Sequence, residues 1–600
     1  MWDMQKGRHL KISTFYDLIQ KLNNRCFFLT FYVILLSCAL MPYYIGGTVI
    51  LGGEGDYVLD FSRHLGKFGF AWFPSYGVGI QNMCPGGTGI NILFLCLIEK
   101  LTESILITNF ILIFSIYFLP FLAMFLVCKE IKTTPFVSFI ISYFYIINPF
   151  TLYYLNCLNQ WNLFSVTVIP LFFWIILRYY HNNFRLFLAL GFVSTCFSFA
   201  YTNYPMLVII HISMVFSIFL TSYLKNDKLL FMQIFKKYGI ILVSFITFNF
   251  WWILPFFGVL GDAQKFYTKS AASDWLTTTT IGGKSILAKA FSLKTIIGSN
   301  SSWDVNTRLY NSSIGSFVTL VPIFFIIYFV LLSKDKKTKR LNVSIFGVLL
   351  IILFFVKGSS QPFGFIYNFL FEHLPFFYIF KSPVEKFSIL YVFIFSILLM
   401  LIMNSFNKQK YNKSVIGIFT AYLIFCSIPL FTGNILPDMN IGPYGYCSRK
   451  YKDKVEYQQA REVINNDDRM NRVLSLPGSG NYQLLVRNYN NKKYSGLDPV
   501  LTNTNKPFIA PEHHISILYD NISSKNYRQL LGIFNIGKII INEDSLPWFG
   551  FVHKESIAEL KSVFSKDFTA ENWGPITLYE NENYFLPVIY TSIPSIPHNQ

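Results

Sequence analysis

The sequence has few charged residues for its length. Charged side chains make up only 14% of its 600 residues, whereas hydrophobic ones make up 53% and aromatic ones 19%. Because soluble domains carry about 25% charged residues, this shortage excludes an ordinary soluble protein and indicates contact with lipid. The shortage is confined to residues 1–432, whereas residues 433–600 have the composition of a soluble domain. We therefore expect a transmembrane domain at 1–432 and a water-soluble domain at 433–600.

The sequence also lacks cysteine pairs. Its nine cysteines include no CxxC pair and no metal-ligand spacing, and most lie in apolar runs, where cysteine acts as a small hydrophobic residue. The net charge of +18 would suggest a nucleic-acid partner for a soluble protein, but the basic residues occur in short loops between apolar runs. That pattern orients a membrane protein, so we expect a lipid bilayer and no nucleic acid as partner.

Long apolar runs predict a polytopic, mainly α-helical membrane protein, because a transmembrane helix needs about 20 mostly apolar residues. About eleven runs approach this length: 27–45, 104–128, 136–155, 161–179, 186–202, 204–224, 238–258, 314–333, 341–356, 387–406 and 414–432. The apolar run at 90–98 is too short to cross, and we expect an interfacial or re-entrant helix there.

Basic clusters predict the orientation in the cell membrane. They lie in the N-terminal tail and in the loops at 129–132, 178–185, 225–237, 334–340 and 408–413, and all fall on one side of the predicted crossings. By the positive-inside rule that side is cytoplasmic, as is the N-terminus. The first run lacks a small-residue cleavage site and is expected to be an uncleaved anchor. Segments 46–103, 259–313, 357–386 and 433–600 then lie outside the cytoplasm.

Three carboxylates follow the first predicted span. Glu54, Asp56 and Asp60 lie in the stretch GGEGDYVLD, residues 52–60. Carboxylates beside a membrane can act as a general base, or can hold a divalent cation such as Mg²⁺ or Mn²⁺ near a phosphate, in which case Glu54 and Asp56 are the candidate ligands. The alternative is a solvated turn, because glycine and aspartate favour turns.

The position of these carboxylates resembles the GT-C superfamily of membrane glycosyltransferases, which carry an acidic motif in the first outer loop. Glu54-Gly55-Asp56 matches the Glu-x-Asp form of that motif. Other stretches are similar to the YfhO-like and arabinofuranosyltransferase-type branch: WFP at 72–74, FKSPVEKF at 380–387, RVLSLP at 472–477, FNIGKIII at 534–541 and LYEN at 578–581. The resemblance covers most of the chain, and each motif is short.

The resemblance implies a GT-C-like fold and an inverting glycosyltransferase. Such an enzyme uses a polyprenyl-phosphate-linked sugar to modify a cell-envelope glycan or glycolipid on the outer face of the membrane. It implies that Asp56 is the base, that Glu54 orients it or helps to hold a metal, and that Asp60 is a further candidate.

A phosphate leaving group also needs cations nearby. The outer loops offer Arg63, Lys357, Lys381, Lys386 and Arg308. Lys381 and Lys386 precede a predicted span, where a lipid phosphate would lie. The alternative is that both lysines only anchor the helix end at the membrane interface.

The C-terminal domain is expected to be small and mixed α/β. Short apolar or β-branched runs predict strands at 472–477, 538–542 and 572–590, with a turn at 573–575, and helices at 456–465 and 555–564. We find no glycine-rich phosphate loop, metal box or nucleophile motif in it. Acceptor binding or a scaffold role is therefore expected for this domain.

Two other functions fit the same composition: a transporter or flippase for a lipid-linked sugar, and a non-catalytic envelope assembly protein. Ion-coupled transporters usually carry ionisable residues inside the bilayer. The predicted spans are almost free of them, with His211 as the notable exception. A scaffold would tolerate Asn and Gln in place of the acidic motif, and a glycosyltransferase would not.

Overall fold

The computed structural model describes only part of the chain. The described residues are 25–52, 61–62, 65, 72–73, 80–81, 90–152, 160–201, 203–226, 231–266, 273, 276, 309, 312–332, 336–406, 412–433, 448–451, 454–469, 471–476, 494–495, 501, 504, 506–509, 518, 520–522, 524–546 and 556–582.

The described part is mainly helical. Its principal helices are Arg25–Leu40, Ile90–Thr102, Ile105–Glu130, Pro135–Ile146, Gln160–Tyr179, Asn183–Cys196, Tyr204–Leu224, Phe231–Phe266, Ser313–Val318, Val321–Leu332, Lys336–Val356, Gly364–His373, Pro383–Phe406, Asn412–Phe431, Val455–Asn465, Tyr527–Ile533 and Ile557–Phe564. Among the described residues, 7 helices are long and apolar enough, by length and composition, to cross a membrane. The chain is therefore a multi-pass membrane protein, as its composition predicts.

Helix Pro383–Phe406 lies at the centre of the bundle, with nearly every residue from Phe387 to Met403 buried. A helix that is hydrophobic all round belongs in such a core. Aromatic side chains fix its neighbours: Phe395 contacts Phe144, with ring centroids 5.6 Å apart, and Phe393 contacts Phe173 at 5.8 Å.

The predicted spans agree with the helices, although four of the apolar helices are shorter than a full crossing. The predicted span 136–155 shows the reason. Helix Pro135–Ile146 ends there because the Asn148 side chain donates to the carbonyls of Phe144 and Tyr145 and accepts from the Thr151 N–H. These bonds occupy carbonyls that a continuous helix would use. The predicted short helix at 90–98 is present as Ile90–Thr102.

The strands are β1 (Val49–Gly52), β2 (Trp72–Phe73), β3 (Ile80–Gln81), β4 (Ser448–Tyr451), β5 (Arg472–Leu476), β6 (Tyr494–Ser495), β7 (Phe508–Ile509), β8 (Ile536–Asn542), β9 (Ser545–Leu546), β10 (Thr569–Trp573) and β11 (Ile576–Glu580). Five of them form one sheet in the order β10-β11-β8-β5-β7. Strand β5 runs parallel to β7 and β8, and β11 runs antiparallel to β8 and β10.

The C-terminal sheet confirms the predicted mixed α/β character. Every residue of β8 is buried, as expected for the central strand of a sheet that is covered on both faces. The predicted turn joins β10 to β11. Gly574 has φ +52° there, a backbone conformation that residues other than glycine rarely adopt. The predicted strand 572–590 begins earlier, at Thr569, and residues 583–590 lie outside the described part.

Candidate functional site

Strand β1 directly follows the first membrane helix and is held by the second. The Asn109 side chain accepts a hydrogen bond from the Ile50 N–H and donates one to the Ile50 carbonyl, both at 3.0 Å. The Tyr44 hydroxyl donates to the same Asn109 oxygen at 3.0 Å. Asn109 belongs to helix Ile105–Glu130 and is 1% exposed. Its amide therefore ties the start of the predicted outer loop to a transmembrane helix.

The far side of β1 pairs with the C-terminal part of the chain. Strand β4 lies antiparallel to it, with Ile50 opposite Lys450 and Gly52 opposite Ser448. This pairing joins the first predicted outer loop to the segment that follows the last transmembrane helix.

Glu99 anchors a second point of the first outer loop. Its carboxylate Oε2 accepts the backbone N–H of Phe61 at 2.9 Å and that of Ser62 at 3.2 Å. Glu99 lies on helix Ile90–Thr102, which packs against helix Ile105–Glu130. The backbone is thus held by hydrogen bonds to helix side chains at β1 and again at residues 61–62.

The predicted acidic residues lie between these two anchors in sequence. Glu54, Asp56 and Asp60 are outside the described residues, as are Arg63 and Arg308, so their roles remain predictions. Glu54 is the second residue after Gly52, and Asp60 immediately precedes Phe61.

Lys357 is a buried cation at the end of helix Lys336–Val356. It is 3% exposed, and its Nζ donates to the Ser360 carbonyl at 2.8 Å and lies 4.6 Å from the Phe354 ring centroid. Among the residues that the structure describes, no carboxylate forms a salt bridge with it. Burial lowers the pKa of Lys357, because removal from water disfavours its charged form. A buried charge of this kind favours an anionic partner.

Lys381 and Lys386 flank the start of helix Pro383–Phe406. Lys386 is 7% exposed and lies 3.7 Å from the Glu385 carboxylate. Burial lowers the pKa of Lys381, the neighbouring positive charge of Lys386 lowers it further, and Glu385 opposes both. The two lysines therefore share one electrostatic environment.

Stacked rings join Lys357 to this pair. The Phe355 and Phe387 ring centroids lie 5.1 Å apart, and those of Phe380 and Phe387 lie 4.9 Å apart. Phe355 is two residues before Lys357, and Phe387 follows Lys386. The aromatic cluster thus brings together the three lysines that the sequence placed in one outer segment.

The lysines lie at the same end of the bundle as β1. The Tyr43 hydroxyl donates to the Leu430 carbonyl at 3.1 Å, so helix Asn412–Phe431 ends beside the residues that lead into β1. Consecutive helices joined by short loops run antiparallel. Helix Pro383–Phe406 therefore begins at this end, and helix Lys336–Val356 finishes there. We call it the β1 end.

A short helix between these two spans exposes apolar side chains. Helix Gly364–His373 buries Tyr367 and Phe371 against Leu276. Its other face exposes Phe365 and Phe369 at 65% and 59%. Exposed aromatic side chains beside transmembrane helices are typical of residues in contact with lipid.

Glu54 and Asp56 are the predicted ligands of a divalent cation. Within the described residues, no group of three or more His, Cys, Asp or Glu side chains could hold a metal ion. Glu54 and Asp56 lie outside them, so a Mg²⁺ or Mn²⁺ site there stays a prediction.

His211, the ionisable residue inside a predicted span, already has partners. Its Nδ1 is 3.1 Å from the Tyr238 hydroxyl, and its ring packs against Phe245 with centroids 5.2 Å apart. These contacts account for its presence between two helices without an ion pathway.

A buried charge network lies in the C-terminal sheet, at the edge where β5 and β8 begin. Asp467 lies 3.5 Å from the Nζ of Lys538 and 3.8 Å from that of Lys506, and Arg469 bonds both Asp467 and Glu580. Burial alone would raise the pKa of Asp467, but hydrogen bonds from Arg469 and Asn471 hold it well below its usual range. Ligands of such sheets bind at the opposite, carboxyl edge, so we assign this network to stability.

The fold is similar to that of solved glycosyltransferases. It matches the cryo-EM structure of arabinofuranosyltransferase AftD from mycobacteria with a TM-score of 0.59 and 10% sequence identity, over 93% of this chain and 40% of that chain. A mutant form of AftD matches with a TM-score of 0.55 and 10% identity, over 93% of this chain and 41% of that chain. The fold resembles the GT-C fold.

These similarities concern the fold alone, because the identities are low and the chain spans 40% of the AftD chain. Archaeal oligosaccharyltransferase AglB from Archaeoglobus fulgidus also aligns, with a TM-score of 0.42 and 10% identity, over 86% of this chain and 69% of that chain. No protein-family model matches the sequence, and no curated protein matches it significantly.

Asn109 and Glu99 belong to none of the sequence motifs described above. For Asn109, the available signal was its place as a polar residue in the first turns of a membrane helix, because buried polar groups there need partners. Glu99 ends an otherwise apolar run, and a carboxylate in that position was the signal for a backbone anchor.

Proposed function

We propose that the chain is an inverting glycosyltransferase that takes sugar from a polyprenyl-phosphate donor and transfers it to a cell-envelope glycan or glycolipid. The proposal places the reaction at the β1 end, on the extracytoplasmic face. Nucleotide sugars are absent there, so a lipid carries the donor sugar.

One observation carries the proposal. The segment with Glu54, Asp56 and Asp60 starts and ends at backbone anchored by membrane-associated helices, and Lys357, Lys381 and Lys386 gather at the same end of the bundle. A base and a set of cations are the two requirements of this displacement. The likeness of the fold to arabinofuranosyltransferase AftD supports the same class.

In the proposed reaction, the acceptor hydroxyl oxygen attacks the anomeric carbon of the donor sugar. The bond from that carbon to the phosphate oxygen breaks, and polyprenyl phosphate leaves. Asp56 takes the proton of the hydroxyl, with Glu54 orienting Asp56 and Asp60 as the further candidate. Lys357, Lys381 and Lys386 stabilise the negative charge on the leaving phosphate, with Arg63 and Arg308 as further cations.

The lysines fit this role for a physical reason. A buried ammonium group interacts with a phosphate more strongly than an exposed one, because less water screens the interaction. Lys357 and Lys386 are buried, which limits the access of water to them, and a polyprenyl chain would extend from the phosphate into lipid.

The test is sugar transfer by the purified protein from a panel of polyprenyl-phosphate sugars, with wild type compared with Asp56→Asn. We expect transfer or donor hydrolysis by wild type and its loss in the variant, at equal expression. Asp520→Asn changes an exposed carboxylate in the C-terminal region and is the matched control, with activity retained.

Two outcomes would contradict the proposal. Near-normal turnover by Asp56→Asn would remove the base assignment. No turnover with any donor, together with lipid-sugar binding that the variant leaves unchanged, would favour transport or a scaffold role.

A further inference from the structure

The backbone N–H and C=O of Ile50 both bond to one side chain, as they would bond to a neighbouring strand. The Asn109 side-chain oxygen accepts a hydrogen bond from the Ile50 N–H, and its nitrogen donates one to the Ile50 carbonyl, each at 3.0 Å. An amide side chain has the donor and acceptor of a peptide unit. Ile50 is 2% exposed, so these bonds cannot be replaced by bulk water without opening the structure.

Strand β4 holds the other edge of β1. In an antiparallel pair, opposite residues alternate between hydrogen-bonded and non-hydrogen-bonded pairs. The Ile50 peptide groups bond Asn109, so the pair of Ile50 and Lys450 is the non-hydrogen-bonded kind. The neighbours Val49 and Leu51 then turn their peptide groups toward β4. Strand β1 therefore has partners on both edges.

The two partners come from distant parts of the chain. Asn109 lies in a transmembrane helix, and β4 belongs to the C-terminal region. Together they define where β1 lies between the bundle and the C-terminal region.

We propose that Asn109 and β4 are positioning elements of the transferase site. They fix the direction of the chain at Gly52, from which the acidic segment continues. The C-terminal region thereby supplies a strand to the site instead of acting only as a separate binding module. This inference rests on the proposed function.

The loss of the Asn109 amide should affect turnover and donor binding differently. The lysines bind the phosphate independently of β1, so the loss of Asn109 should lower kcat and leave the donor KM little changed. A displacement of the base of about 1 Å costs about 100-fold in rate. We expect Asn109→Leu, which keeps the branching of the side chain and removes the amide, to lower kcat by about that factor.

Asn249→Leu is the matched control. Asn249 is also a fully buried amide in a membrane helix, donating to Ser194 and Phe245 and accepting from Trp252. Its replacement removes as many hydrogen bonds without touching β1. We expect lower thermal stability in both variants and a fall in kcat only for Asn109→Leu. Equal falls in kcat for the two variants, or a wild-type kcat for Asn109→Leu, would overturn the positioning role.

Asn109→Asp provides a rescue. A protonated carboxyl has one donor and one acceptor, as the amide has, whereas the ionised form lacks the donor. The activity of this variant relative to wild type should therefore rise as the pH falls. A ratio that does not change with pH would contradict the role of the donated bond to Ile50.

A cross-link tests the strand pairing without reference to activity. Non-hydrogen-bonded pairs have Cα atoms about 4.5 Å apart, within the range for disulfides. Ile50→Cys with Lys450→Cys should form a disulfide upon oxidation, identified by mass spectrometry of that peptide pair. Ile50→Cys with Asp520→Cys should not.

The two sets of results are distinguishable. An inactive wild type, together with a cross-link in the Ile50→Cys, Lys450→Cys variant, would end the proposed function and leave the pairing intact. An active wild type, together with no cross-link in that variant, would end the positioning role of β4 alone.

Discussion

The rings of Phe355 and Phe387 lie with their centroids 5.1 Å apart, near-parallel at an interplanar angle of 27°. Phe355 lies in the last turn of helix Lys336–Val356, two residues before Lys357. Phe387 lies near the start of helix Pro383–Phe406 and directly follows Lys386. This contact shows that Lys357 and Lys386 lie at the same end of the bundle. The segment between them then forms one side of the candidate site.

Lys357→Met should weaken donor binding. The change keeps the apolar stem and removes the ammonium group, and hydrogen bonds to charged groups contribute about 1.5–3 kcal/mol. We expect the KM for a polyprenyl-phosphate sugar to rise by about 10-fold or more. Steady-state kinetics with Lys336→Met, an exposed lysine at the opposite end of the same helix, is the control. Equal KM values for Lys357→Met and wild type would remove Lys357 from phosphate binding.

The same lysine should give donor binding a characteristic pH dependence. Burial lowers the pKa of Lys357, so its ammonium form is lost at a lower pH than that of an exposed lysine. Donor affinity is therefore expected to be full below the pKa of Lys357 and to fall as the pH rises through it, at a lower pH than for an exposed lysine. Binding measured against pH should lose this step in Lys357→Met, and its persistence there would assign it to another group.

Glu99→Ala should release the backbone at Phe61 and Ser62. Charged acceptors of this kind contribute about 1.5–3 kcal/mol per bond, so we expect faster hydrogen exchange at these two amides and reduced transfer. Glu99→Gln keeps an oxygen acceptor and should lie between Glu99→Ala and wild type. Glu103→Ala, at an exposed position just past the same helix, is the control. Unchanged exchange at residues 61–62 in Glu99→Ala would show that the anchor is dispensable.

Asp467→Asn should destabilise the C-terminal sheet. Breaking a buried ion pair costs about 3–5 kcal/mol. Lys506 would lose the Asp467 carboxylate, and Lys538 would keep Glu580 at 3.9 Å. We expect faster hydrogen exchange in β5 and β8 of the full-length protein, with Asp520→Asn as the unaffected control.

The pH dependence of that stability follows from the depressed pKa of Asp467. The stabilisation is fully present above the unfolded pKa of about 3.9 and is lost as the pH falls toward the folded value. The difference in exchange between wild type and Asp467→Asn should therefore shrink below about pH 4. A difference that persists unchanged into acid would mean that the charge of Asp467 does not matter.

Phe369 should face lipid. A spin label at Phe369→Cys is expected to be more accessible to oxygen than to a water-soluble nickel complex, because oxygen partitions into the bilayer. A label at Asp520→Cys should show the opposite preference. The aqueous pattern at both positions would place helix Gly364–His373 away from the membrane.

The sequence by itself determined the helical architecture, because each transmembrane helix is specified locally by about 20 apolar residues. It also determined the strands β5 and β8 and the turn at Gly574, where local patterns agree with the fold. It also predicted that Lys357, Lys381 and Lys386 lie in one outer segment, since they are close in sequence. The role of Asp56 as a base remains a prediction from the acidic motif.

Only the tertiary structure decided how β1 is held. Ile50 and Asn109 are separated by 59 positions in the chain, and Ile50 pairs with Lys450 in the C-terminal region. Short strands and single amides leave no periodic pattern, so no local signal connects them. Contacts of this kind depend on the packing of whole helices, which brings distant backbone groups to hydrogen-bonding distance only after the bundle has formed.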